Sequence, residues 1–91
     1  MHTVSKTMRI AYGQDGAVVL DIERGQVFSL NLVGSTIVEL LRSGSAELEI
    51  AEKISREFDI GRDLARKDVK EFLQTLKKYH LLEEHEPVLA V

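Results

Sequence analysis

The 91-residue chain is long enough for one domain, and its 44% hydrophobic and 30% charged residues describe a folded globular protein rather than a disordered one. A formal net charge of −3 argues against a dedicated nucleic-acid binder, whose affinity rests on neutralising phosphates with Lys and Arg. The absence of cysteine excludes disulfides, Cys-ligated zinc and iron–sulfur clusters. No stretch has the apolar length of a signal-peptide core or a membrane span, so the chain reads as cytoplasmic, without a membrane partner.

Residues 1–6 are polar and read as a flexible N-terminus. Thr7–Tyr12 alternates loosely and predicts a first strand, closed by the turn residues Gly13-Gln14-Asp15-Gly16. Ala17–Ile22 predicts a second strand, with Val18, Leu20 and Ile22 on one face and Val19 and Asp21 on the other. Glu23-Arg24-Gly25 makes a short hairpin turn, and Gln26–Leu30 predicts a third strand. Phe28 and Leu30 share one of its faces, Val27 and Ser29 the opposite one.

Asn31 suits the N-cap of a helix, because its side-chain oxygen can accept a bond from an orphan amide of the first turn. That helix carries Val33, Ile37, Leu40 and Leu41 at helical spacing. Gly34 stands in its first turn, where propensity disfavours it; tight packing of that turn against the sheet and a ligand-facing role are both compatible with it. Gly44 closes the helix, and Ser45 is expected to cap the next, Ala46–Phe58, with Ile50, Ala51, Ile54 and Phe58 inward. A third helix, Asp63–Tyr79, turns Ala65, Val69, Phe72, Leu73 and Leu76 inward, beside a semi-polar flank of Asp68, Thr75 and Tyr79 with Phe72 at the border. Leu81 and Leu82 can fold back onto the core, and residues 84–91 read as a tail. The domain proper is expected over 7–83.

Little in this inventory does chemistry. His80 and His85 lie near Glu83, Glu84 and Glu86, but their spacing matches no helical zinc pair, so no metal site and no cofactor are expected. No His–Asp pattern accompanies a serine, and the glycines belong to turns rather than to a phosphate loop. Carboxylates sit on helix faces, where solvation is the default. The chain does not read as an enzyme.

The element order is α+β: a three-stranded antiparallel meander followed by three helices, the inventory of a winged helix–turn–helix. In a winged-helix DNA-binding regulator, the alternative reading, the last helix would enter the groove of DNA. Its first half interleaves Arg62, Arg66, Lys67 and Lys70 with Asp63, Asp68 and Glu71, and the mixed signs argue against phosphate binding. What remains is the sheet edge. The third strand either accepts an extended peptide as a further strand or is blunted by its shortness and by Glu23 and Arg24; sequence physics leaves both open.

Three blocks in order resemble the PqqD family, the peptide-recognition domains of pathways that modify ribosomally made peptides. They are Val18–Asp21, Gly25 and Val27–Asn31; then Gly34 with Ile37, Leu40 and Leu41; then Asp68-Val69, Phe72-Leu73, Leu76 and Leu81-Leu82-Glu83. His80 stands where the family usually has Gly before the final leucine pair. The resemblance implies a non-catalytic domain that binds the leader segment of a precursor peptide by strand addition. It implies delivery of that peptide to a modifying enzyme, such as a radical SAM protein of a PQQ-type pathway or a leader peptidase of a lasso-type pathway. Carried onto this chain, the peptide-binding strand is Gln26, Val27, Phe28, Ser29 and Leu30, and the opposing helix offers Asp68 and Phe72. Lys67, Glu71, Thr75 and Leu76 are added by helical geometry. A monomer or weak dimer is expected.

Overall fold

The computed structural model describes residues 2–4 and 8–84, with side chains described over 8–82. The chain runs β1 (His2–Val4), β2 (Met8–Gly13), β3 (Gly16–Asp21), β4 (Gln26–Asn31), α1 (Leu32–Arg42), α2 (Glu47–Glu57), α3 (Arg62–Lys78) and β5 (Leu82–Glu84). Three antiparallel strands in the order β2-β3-β4 precede three helices, as expected from sequence. A second, two-stranded ribbon joins the two ends of the chain: β1 pairs antiparallel with β5, His2 opposite Glu84 and Val4 opposite Leu82.

The ribbon departs from the sequence reading. Residues 2–4, expected to be flexible, form a strand, and the ordered unit includes backbone on both sides of 7–83. The remainder of the expected tail, 85–91, and Thr7 of the expected first strand lie outside the described residues, as does the histidine of the His80–His85 pair at position 85.

The meander is held by two different turns. Gln14-Asp15 joins β2 to β3, with Gly13 opposite Gly16. Gly16 has φ +149°, and a β-carbon on it would fall 1.9 Å from the Leu30 carbonyl oxygen, so no side chain fits there. The second turn spans residues 22–25, between the paired Asp21 and Gln26. Ile22, expected in the strand, belongs to this turn. Asp21 is fully buried; its Oδ1 accepts the Arg24 backbone N–H at 3.3 Å, and its Oδ2 lies 3.6 Å from the Arg24 guanidinium. The inward carboxylate thereby ties the turn to the strand. Ala17, Val19 and Asp21 point inward, while the more apolar set Val18, Leu20 and Ile22 is left exposed.

α1 starts as expected, the Gly34 N–H donating to Asn31 Oδ1 at 2.8 Å. α2 is capped by Ala46, not Ser45. Ala46 has no side-chain acceptor, and the stabilising contact runs the other way, from its N–H to Glu49 Oε1 at 3.4 Å. All three helices end alike: the N–H groups of Ser45, Ile60 and Leu81 reach back to the carbonyls of Leu40, Ser55 and Leu76 at 2.9–3.0 Å. This is the Schellman arrangement, which requires a left-handed residue just before the returning N–H. Gly44, Asp59 and His80 occupy it, with φ of +85°, +52° and +62°. The core forms where α1, α2 and α3 meet the inner face of the sheet, centred on Val19, Ile37, Ile50, Ile54 and Val69.

Candidate functional site

Strand β4 has β3 on one side and, among the described residues, no strand on the other. The two-residue turn closes on the Gly13–Gly16 pair, which in such a hairpin exchanges both backbone bonds. Alternation along the ladder then turns the peptide groups of Ala17, Val19 and Asp21 toward β4, and those of Val27 and Ser29 toward its open side. Among the described residues no strand takes up these donors and acceptors, which stand in extended geometry. The inner-facing Gln26, Phe28 and Leu30 are half-buried, and Val27, Ser29 and Asn31 are exposed. The Gln26 Oε1 is enclosed without a hydrogen-bond partner among the described residues.

The second wall is α3. Tyr79 at its end packs on Phe28, ring centroids 5.0 Å apart and tilted by 54°, a favourable offset geometry. Lys78 Nζ lies 5.9 Å from the same Tyr79 ring. Earlier in the helix, Asp68, Glu71, Phe72 and Thr75 face the end of β4 and the first turns of α1. Together with Asn31, Val33, Ile37 and Ile60 they enclose an open cavity of about 370 Å³.

The construction of this cavity follows from three local features. Asn31, spent as the cap of α1, ends β4 at its mouth. The left-handed Asp59 turns the chain after α2 so that Ile60 enters the wall, and the Ser55 hydroxyl bonds the Ile60 carbonyl. Gly34 allows the Phe72 ring to lie directly on α1. Gly34 therefore packs both against Asn31 at the end of β4 and against a helix residue that itself lines the cavity.

Polar groups at the rim are biased toward acceptors. The Thr75 hydroxyl donates its proton to the Glu71 carbonyl at 3.0 Å, leaving lone pairs and a methyl group for other contacts. Asp68 and Glu71 are exposed, and neither has an ion-pair partner among the described residues. The helical neighbours of Asp68 at three and four residues are Leu64, Ala65, Glu71 and Phe72, none of them basic.

Of the residues expected from sequence, Asp68, Glu71, Phe72 and Thr75 meet in the cavity, and Gln26–Leu30 form the open strand beside it. Lys67 is exposed on α3 outside the cavity lining. Leu76 is 5% exposed and part of the core cluster. Sequence reasoning gave no site role to Val33, Ile60 and Tyr79. Tyr79 was recoverable, since it follows Thr75 by four residues and Phe72 by seven on one helix flank. Ile60, in a loop, carried no such signal. Among the described residues no group of three or more His, Asp or Glu could hold a metal ion, and no helix is long and apolar enough to cross a membrane.

The sequence profile of the family described as coenzyme PQQ synthesis protein D (PqqD) matches residues 16–82. No curated protein matches the chain. Among solved structures, TbiB1 in complex with the TbiA(β) leader peptide is 32% identical, with a TM-score of 0.85 over 93% of this chain and 99% of that one. Lasso peptide synthetase B1 complexed with the leader peptide is 23% identical, with a TM-score of 0.83 over 91% and 98%. The PqqD truncation of Methylobacterium extorquens PqqCD, a stand-alone recognition element for ribosomally synthesised and post-translationally modified peptides, is 18% identical. Its TM-score is 0.74 over 91% of this chain and 88% of that one. The latter two share the fold. The profile covers β3 to the start of β5, the whole frame that presents the open strand and the helix beside it, and the chain belongs to the PqqD family.

Proposed function

We propose that this chain binds the leader segment of a ribosomally made precursor peptide as an additional strand on β4, with alternate side chains resting on α3. The observation that carries this reading is the unpaired edge of β4 lying beside an open, partly apolar cavity. Backbone bonds to Val27 and Ser29 supply sequence-tolerant affinity, and the cavity and the Phe28–Tyr79 floor select side chains. The relative TbiB1, 32% identical over nearly its whole length, is a leader-peptide complex, which supports the same use here. The domain acts without catalysis, as a carrier that brings the peptide to a modifying enzyme in the cytoplasm. A radical SAM enzyme or a leader peptidase fits that role, and the carrier works as a monomer or weak dimer.

The test is a titration of the 15N-labelled chain with the leader peptide encoded beside its gene. Amide shifts concentrated along Gln26–Asn31 and the Asp68–Tyr79 flank are expected. Unperturbed β4 amides at saturating peptide would reject the strand-addition site.

A further inference from the structure

The cavity at the end of β4 combines an apolar interior with a rim of acceptors. Val33, Ile37, Ile60 and Phe72 supply the interior. The carboxylates of Asp68 and Glu71 stand at the rim without a cationic partner among the described residues. Thr75 turns its hydroxyl proton away, into the Glu71 carbonyl, so it adds acceptor capacity rather than a donor. None of the residues lining the cavity is basic. An acidic guest would meet two like charges at the rim, whereas a side chain with an apolar stem and a cationic head complements interior and rim together.

Resting on the reading of β4 as a peptide-binding strand, we propose that the peptide this chain recognises carries a lysine or arginine that enters this cavity. The methylenes lie on Val33, Ile60 and Phe72, and the charged head lies on Asp68 and Glu71. Asp68 and Glu71 are then specificity-determining residues, reading one position of the peptide while β4 holds its backbone. The side chain concerned belongs to a peptide residue just beyond the one paired with Leu30, on the inner face that Phe28 and Leu30 share, where β4 gives way to the cavity mouth.

A displayed random-peptide library selected against the wild-type chain and against Asp68→Asn/Glu71→Gln tests this. Both substitutions are isosteric and sit on the exposed surface of α3, so the fold is retained, as an unchanged amide spectrum elsewhere would verify. A basic residue at one position of the peptides is expected with the wild type and not with the double variant. In a synthesised wild-type-selected peptide, replacing that residue by Met should weaken wild-type binding about tenfold and double-variant binding less than about twofold. Selected peptides that shift the Gln26–Asn31 amides but show no basic preference would overturn this proposal and leave strand addition standing. An equal loss in both proteins on replacement by Met would do the same. If no selected peptide shifts those amides, strand addition falls, and the basic-residue proposal falls with it.

Discussion

The Phe72 ring stands directly on Gly34: a β-carbon at position 34 would lie 3.2 Å from Phe72 Cε2 and 3.4 Å from Cζ. An alanine there gains about 1 kcal/mol in helix propensity and forces the ring, and the capping Asn31 Oδ1 at 3.3 Å, to yield by a few tenths of an ångström. The ring also lines the cavity, so a displaced ring changes the cavity's shape. Gly34→Ala should therefore keep its stability within about 1 kcal/mol of wild type in urea denaturation, propensity offsetting the contact. Its peptide affinity should fall several-fold in calorimetric titration. A large loss of stability would mean that the ring is fixed rather than displaceable.

Proline placed at adjacent positions of β4 should separate the strand's two sides. Val27→Pro removes an N–H that faces the open side and a side chain that is 65% exposed, so the domain should still fold while peptide affinity drops at least tenfold. Phe28→Pro removes a donor to β3 and a ring packed on Tyr79, and should destabilise the fold by about 3 kcal/mol or more. Thermal denaturation and anisotropy with labelled leader peptide distinguish the two. Unchanged affinity in a folded Val27→Pro protein would place the peptide at another register.

Two helix ends place a residue other than glycine in the left-handed backbone, at some conformational cost. His80→Gly and Asp59→Gly relieve φ of +62° and +52° while leaving the returning bonds of Leu81 and Ile60 in place. Each should raise stability by about 1 kcal/mol, with the two effects adding because the sites share no bond. Chemical denaturation of the single and double variants checks this. Destabilisation at His80 would reveal a side-chain contact that outweighs the backbone strain.

Asp21 is enclosed and anchors the 22–25 turn through Arg24. Asp21→Ala should cost about 2 kcal/mol, because it strips the turn of its acceptor and leaves a gap where an enclosed side chain stood. Arg24→Ala, at an exposed partner, should cost less than about 1 kcal/mol. Equal effects, measured by urea denaturation, would show that the ion pair rather than the buried acceptor holds the turn.

Much of the architecture was legible because local signals agreed with it. Gly13, Gly16 and Gly25 marked the turns, Asn31 capped α1, and the apolar spacing of α3 set its inner face. Other features depend on contacts distant in sequence. Strands of three residues such as His2–Val4 and Leu82–Glu84 have no period to detect, and they exist only because the two ends of the domain meet. The buried face of β3 is the less apolar one, which alternation within the strand alone does not reveal. The cavity draws its walls from β4, α1, the α2–α3 connection and α3, so only Asp68, Glu71, Phe72 and Thr75, which share one helix flank, could be grouped in advance. Asn31 was visible as a cap and not as part of a mouth.

The tilted pair Phe28–Tyr79 gives the chain its own optical reporter. It has two tyrosines and no tryptophan, so tyrosine emission is not masked by energy transfer within the protein. Tyr79 forms part of the groove floor, 37% exposed, and an added strand would cover it; Tyr12 lies at the far side of the sheet, on β2. Emission lost in Tyr12→Phe or Tyr79→Phe then assigns the signal to one ring. A peptide carrying tryptophan would quench Tyr79 in proportion to occupancy, allowing binding to be followed in real time without a label on the protein.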